Sequence, residues 1–157
     1  MTSNTCVEIK KRIFLPPKCL DSNIIKHVLK YLKLKTKNEC TKEYGYILFI
    51  KNIISIESIE STIFNVVFNA KTLKPEVGKI FDGVVCKVYK DGLFIDIMNT
   101  QKMLIPSSLM VDYIYNEEDN LYYKENKKIC KDTKVKAIVT AVQYNKQKFS
   151  CFGELKE

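Results

Sequence analysis

From Gly78 onward the chain is a run of short strand-like segments separated by turns, and this pattern leaves few folds open to its second half. Residues 80–89 form a long first strand, with Gly83 where strong coiling or a bulge is expected. Lys90-Asp91-Gly92 is a tight turn, residues 93–97 a second strand and Met98-Asn99-Thr100 another turn. The third strand, 102–105, ends at Pro106, and Ser107-Ser108-Leu109 reads as a short helical turn. The polar stretch 116–128 is expected to be a surface loop. Segments 134–142 and 148–152 then form a hairpin across Tyr144-Asn145-Lys146-Gln147. Five strands with no helix longer than a turn or two describe a five-stranded barrel of the OB type.

The first half reads differently. A strand over residues 7–15 is stopped by Pro16-Pro17, because proline cannot continue a hydrogen-bonded ladder. Asp21 or Ser22 is placed to cap a helix whose apolar face comprises Ile24, Ile25, Val28, Leu29 and Leu32. His27 falls off that face and reads as an exposed helix residue. Gly45-Tyr-Ile-Leu-Phe-Ile50 is a compact strand and 63–68 another, with the Ile-, Ser- and Glu-rich stretch 51–62 between them. Strand, helix, strand, strand is a small α+β unit, and residues 70–75 cross into the barrel pattern. The fold class is therefore α+β, with a small N-terminal α+β domain over 1–76 and a C-terminal OB-fold barrel over 77–157.

Composition bounds the chemistry. With 46% hydrophobic and 28% charged residues, five Gly and four Pro, the chain of 157 residues is globular. The N-terminus MTSNTCVEIKKR lacks the apolar segment of a secretory signal, and no run reaches the roughly 18 to 20 apolar residues of a membrane span. The chain reads as intracellular, with no membrane association and with reduced thiols at Cys6, Cys19, Cys40, Cys86, Cys130 and Cys151. These cysteines are scattered singly and His27 is the one histidine, a poor set of zinc ligands. No hydrolase elbow, phosphate-binding glycine loop or paired metal motif occurs, so neither cofactor, metal nor a catalytic residue is expected. The net charge of +8 and isoelectric point near 9.1 attract phosphates, although lysine beside Asn and Ile is also what an A/T-rich genome encodes.

Recognition chemistry fits better. On an OB barrel the face of strands two and three stacks bases on aromatic rings and holds the backbone with cations. If Leu93, Ile95 and Ile97 point inward, Phe94 and Asp96 point outward, since strand side chains alternate. Phe94 near Lys87, Tyr89 and Lys102 would make a basic aromatic platform, with Asp96 opposing it electrostatically. Lys146 and Lys148 in the last hairpin complete the candidate RNA-binding set.

Several stretches together resemble the seventh-subunit stalk proteins of eukaryotic RNA polymerase II and their archaeal counterpart, the E-prime protein. They are Ile13-Phe-Leu-Pro-Pro with the helix after it, Thr41-Lys-Glu-Tyr-Gly-Tyr-Ile-Leu, Phe64-Asn-Val-Val-Phe-Asn-Ala with Leu73-Lys-Pro, and Gly78-Lys-Ile-Phe-Asp-Gly-Val-Val. Met103-Leu-Ile-Pro-Ser-Ser-Leu-Met, Asp132-Thr-Lys-Val-Lys-Ala-Ile-Val and Phe149-Ser-Cys-Phe-Gly-Glu-Leu follow in the order and spacing of the family's third, fourth and fifth barrel strands. Each is weak alone, and their common order along nearly the whole chain is specific.

The resemblance implies a truncated RNP-like first domain and a noncatalytic stalk subunit of a DNA-directed RNA polymerase, supporting initiation and elongation. Its partners would be the large polymerase subunits near the clamp, a fourth-subunit stalk protein, and nascent RNA. It also implies that Thr41, Lys42, Glu43, Tyr44 and Gly45, together with Ile56 and Glu57 in the segment 53–61, face the polymerase core. Family members carry a longer tip loop with Gly and Pro in that segment, whereas this chain has Ile-Ser-Ile-Glu-Ser-Ile-Glu-Ser. The short loop and the Asn/Lys/Ile-rich composition suit a divergent eukaryotic polymerase or that of a large DNA virus. The location would be the nucleus in the first case, and host cytoplasm or virion in the second. The alternative is a free-standing OB-fold RNA-binding protein of translation or RNA decay, which accounts for the second half only.

Overall fold

A computed structural model describes residues 5–157, which form two compact units, 5–74 and Pro75–Glu157. The first is a four-stranded antiparallel sheet in the order β1-β4-β3-β2 with one helix against it. Its strands are β1 (Thr5–Phe14), β2 (Cys40–Thr41), β3 (Gly45–Glu60) and β4 (Ile63–Leu73), and the helix is α1 (Ile24–Thr36). Pro17 begins a short 3-10 turn, Pro17–Cys19, where β1 stops. Val28, Leu32 and Thr36 of α1 are buried, with Ile24 and Tyr31 partly so, which is a single row at i, i+4 and i+8. Ile25, expected on that face, is 58% exposed, because a residue next to Ile24 lies about 100° round the helix. The helix cap also differs from expectation: Asn23 holds the cap position without a side-chain bond, and Asp21 instead accepts from the Asn23 N–H at 2.8 Å. Asp21 lies 3.3 Å from His27.

The largest departure from the sequence reading lies in β3. Residues 51–60, expected to leave the strand, continue it, and only Ser61 and Thr62 turn into β4. Against the regular alternation of β4, β3 slips register between Ile47 and Phe49, Ile50 and Asn52, and Ile53 and Ser55. Each slip inserts one extra residue. Tyr44, Ile47, Ile50, Ile53 and Ile56, spaced by three, therefore all pack on the same core as Phe64, Val66 and Phe68. At the start of this strand Gly45 has φ +78°, and a Cβ there would sit 2.2 Å from the Leu73 carbonyl oxygen, so glycine is required on both counts.

The second unit is a closed five-stranded barrel in the order β11-β12-β7-β6-β5. It comprises β5 (Ile80–Tyr89), β6 (Gly92–Ile97), β7 (Gln101–Pro106), β11 (Lys134–Asn145) and β12 (Lys148–Leu155). Closure comes from a short parallel pairing of β12 with β7, Cys151 opposite Met103 and Phe152 opposite Leu104. Phe81, Leu93, Ile95, Ile97, Met103 and Ile105 are completely buried inside. Each such side chain contributes about 1.5–3 kcal/mol relative to exposure. Strong coiling or a bulge is expected at Gly83, and the bulge lies further on: β5 slips register against β6 between Val85 and Lys87, leaving Cys86 as the extra residue, with its thiol donating to the Phe94 carbonyl at 3.4 Å. Gly83 instead gives room to Ile95, whose Cδ1 would lie 3.0 Å from an added Cβ.

Residues 116–128, expected to be a loop, are largely a second small sheet. Its order is β10-β9-β8, from β8 (Ile114–Asn116), β9 (Leu121–Lys124) and β10 (Lys127–Ile129). Tyr122 and Ile129 supply its buried side chains, and the Tyr122 hydroxyl donates to the Tyr89 and Lys90 carbonyls at 2.5 and 2.8 Å. All six cysteines are free thiols, and burial pushes Cys151 up to about 12. Among the described residues no helix is long and apolar enough to cross a membrane, and no group of three or more His, Cys, Asp or Glu is placed to hold a metal ion.

Candidate functional site

On β6 the alternation is as the sequence requires, with Leu93, Ile95 and Ile97 inside and Phe94 and Asp96 at the surface. The pairings place Lys87 beside Phe94, Phe94 beside Leu104 and Leu104 beside Phe152, so one row crosses four strands of the barrel wall. Tyr89 stands edge-on to Phe94, with ring centroids 6.2 Å apart and planes at 88°. Tyr89 is 49% and Phe152 37% exposed, which leaves one ring beside Phe94 and one at the far end of the row open to solvent. Such a row offers π-faces and one cation, Lys87.

The remaining predicted RNA contacts are not all brought to this spot. Lys102 occupies the next row and pairs across the ladder with Asp96, whose carboxylate offsets its charge. Lys148 lies four residues before Phe152 on β12, about 13 Å away along the strand. Lys146 is in the turn beyond it with φ +51°, followed by Gln147 at φ +62°, the pair of positive φ values that a two-residue hairpin needs. Leu104 and Phe152 were missed from the platform, since only the strand register reveals that they adjoin Phe94.

The candidate docking residues also separate. Thr41 to Gly45 form a turn in which the Thr41 hydroxyl accepts from the Tyr44 N–H at 3.2 Å, with Lys42 and Glu43 exposed. Tyr44 is half-buried near the ion pair of Lys11 with Glu39. Burial and the Glu39 carboxylate raise the Tyr44 pKa. Burial works against the Lys11 ammonium, but its bond to Glu39, the Glu39 charge and the neighbouring Tyr44 oxygen together outweigh this and its pKa rises. Ile56 and Glu57 sit 11 and 12 residues further along β3 than Gly45, a distance of about 36–40 Å on an extended strand and less where it bulges. Ile56 packs inward and Glu57 is exposed.

Comparison with known proteins follows the same two units. Residues 10–83 match the family described as "SHS2 domain found in N terminus of Rpb7p/Rpc25p/MJ0397", and residues 74–151 match "S1 RNA binding domain". A relative that spans both, DNA-directed RNA polymerase V subunit 7 of Arabidopsis thaliana, is 25% identical over 150 residues, covering 88% of this chain and 84% of that protein. The chain belongs to the Rpb7/E′ stalk family. In this stalk-family chain the helix-backed sheet is the SHS2 domain and the closed barrel is the S1 domain, an OB fold. Among solved structures, the apo form of Mycoplasma genitalium RNase R aligns at a TM-score of 0.43 and 19% identity, over 51% of this chain and 13% of that one.

Proposed function

We propose that the chain is a noncatalytic subunit of a multisubunit DNA-directed RNA polymerase, docking on the core near the clamp through its SHS2 domain and contacting nascent RNA with its S1 barrel. The observation that carries this reading is the order of the two domain matches along one chain, together with a relative that covers 88% of it and is itself named a polymerase subunit. A free-standing RNA-binding barrel accounts for the S1 match and leaves the SHS2 half unexplained.

Docking uses two separated contacts, the turn Thr41 to Gly45 and the strand region where Glu57 is exposed and Ile56 anchors the strand to the core beneath it, as their spacing along β3 requires. The partners are the large polymerase subunits and a fourth-subunit stalk protein. RNA contact is auxiliary: the row of Lys87, Phe94, Leu104 and Phe152 supplies stacking surface, but Asp96 lies beside it. The protein works in the nucleus if its source is cellular, and in host cytoplasm or the virion if it is that of a large DNA virus. Recovery of the tagged native chain from its source cells tests this: the large polymerase subunits accompany it, and charge reversal at Lys42 and Glu57 together lowers their yield. Recovery without them sinks the proposal.

A further inference from the structure

We infer that the barrel unit carries a second nucleic-acid surface, a lysine-lined cleft between β10, β11 and the end of β12 that takes the phosphate backbone of single-stranded RNA. This rests on the reading that the subunit contacts RNA, and assigns that contact to a face other than the one around Phe94.

The cleft has a volume of about 330 Å³, and five of its lining residues are Lys127, Lys128, Lys134, Lys136 and Lys156. They come from three elements. Lys127 and Lys128 are on β10, the outer strand of the small sheet, while Lys134 and Lys136 alternate on one face of β11. Lys156 is fixed beside them, since its N–H donates to the Lys136 carbonyl at 2.9 Å. Among the described residues Lys127, Lys128, Lys134 and Lys156 form no ion pair, unlike Lys11, Lys79 and Lys124. Lys136 stands opposite Asp82 across β5 and is the least available of the five.

Like charges gathered on a concave, partly apolar wall raise one another's potential and concentrate anions there. Ile129, Val135 and Leu155 supply that wall. The cleft's one carboxylate, Glu157, is already engaged: it accepts from the Tyr113 hydroxyl at 2.5 Å and from Lys124 at 3.1 Å. The Tyr113 bond, the Lys124 bond and the nearby charges of Lys124 and Lys127 lower the Glu157 pKa, so it stays ionised and consumes one cation rather than filling the cleft. Repeated cations call for a repeated anion, and Tyr113 on the rim adds a ring for a base or ribose. An isolated phosphate would satisfy one or two of the lysines, whereas a strand passing along β10 and β11 meets them in succession.

The test is fluorescence anisotropy of a labelled single-stranded oligouridylate with the full chain across a salt series, comparing the wild type with K127Q/K134Q/K156Q, with E157Q and with F94A. The three lysines are exposed, so the triple variant should melt with the wild type. It is expected to bind at least tenfold more weakly, with the slope of log affinity against log salt shallower by about 2, at roughly 0.7 for each phosphate no longer neutralised. E157Q is expected to bind more tightly. F94A is expected to lose affinity with the slope unchanged. If the triple variant keeps the wild-type slope while F94A abolishes binding, the cleft is refuted and RNA contact survives on the β6 face. If the wild type binds no RNA at low salt, the RNA-contact reading and the cleft fall together. If polyglutamate displaces the oligonucleotide as well as unlabelled RNA does at equal charge, the cleft takes an acidic protein segment and the nucleic-acid assignment is wrong.

Discussion

Replacing Ile50 and Ile53 singly with Ala isolates the feature of β3 that strand alternation does not anticipate. In a regular strand these residues, three apart, lie on opposite faces, and at most one of them meets the core. In the structure Ile50 pairs opposite Ala70 and Ile53 opposite Phe68, both partners are completely buried, and both isoleucines pack on the core. Truncating Ile to Ala removes three carbons, worth about 2.4 kcal/mol if fully buried at about 0.8 kcal/mol per methylene. Since both residues are only partly buried, each substitution should cost about 1–2 kcal/mol. Ile54, a bulge residue 47% exposed, serves as the control and should cost less than about 0.5 kcal/mol. For a unit of this size, 1 kcal/mol corresponds to a shift of about 4–8 °C in Tm. Urea titration with a circular-dichroism readout, supported by thermal melts, gives the comparison. A large cost at one of Ile50 and Ile53 with none at the other would restore plain alternation and refute the bulged strand.

Gly45→Ala should destabilise the same unit by about 1–3 kcal/mol, because the new methyl meets the Leu73 carbonyl and the φ of +78° strains any side chain; an unchanged urea midpoint would contradict this. Tyr122→Phe removes the hydroxyl proton shared between the Tyr89 and Lys90 carbonyls and should cost about 1–3 kcal/mol, with hydrogen exchange accelerated in β8 to β10; equal exchange rates would mean that the small sheet is held by other contacts. Burial, then the Glu157 bond and the charges of Glu157 and Asp112, push Tyr113 up to about 12. A raised tyrosine pKa favours the folded state below pH 10 and loses that contribution as pH climbs from 10 towards 12, so phenolate absorbance should show a late step that Y113F removes. Ionisation of all tyrosines in one ordinary range would count against the Tyr113–Glu157 bond.

The barrel was legible because its strands obey a period of two and are punctuated by turn residues. Leu93, Ile95 and Ile97 against Phe94 and Asp96 required only alternation, and Lys87, Tyr89 and Phe94 could be grouped from the hairpin they share. Leu104 and Phe152 could not, since they join that group through the barrel's two-residue parallel closure, and no local pattern encodes it. Strand β3 was half legible. Tyr44, Ile47, Ile50, Ile53, Ile56 and Ile59 recur at three, which is neither strand nor helix period, and bulges convert that spacing into one buried face up to Ile56. The small sheet was hidden because Tyr122 and Ile129 supply its buried anchors within a stretch of Asn, Glu and Lys. Lys127, Lys128, Lys134 and Lys156 follow no motif or period in the sequence, and only the fold brings them to the lining of one cleft.

The central claim is membership of a transcribing polymerase, and its most direct measurement is quantitative mass spectrometry of the tagged chain purified from its native cells at moderate salt. The large RNA polymerase subunits should be present in near-equal molar amount to the chain, and should be depleted when Lys42 and Glu57 are reversed in charge. A chain recovered without polymerase subunits, or associated instead with ribosomes or nucleases, would contradict the account.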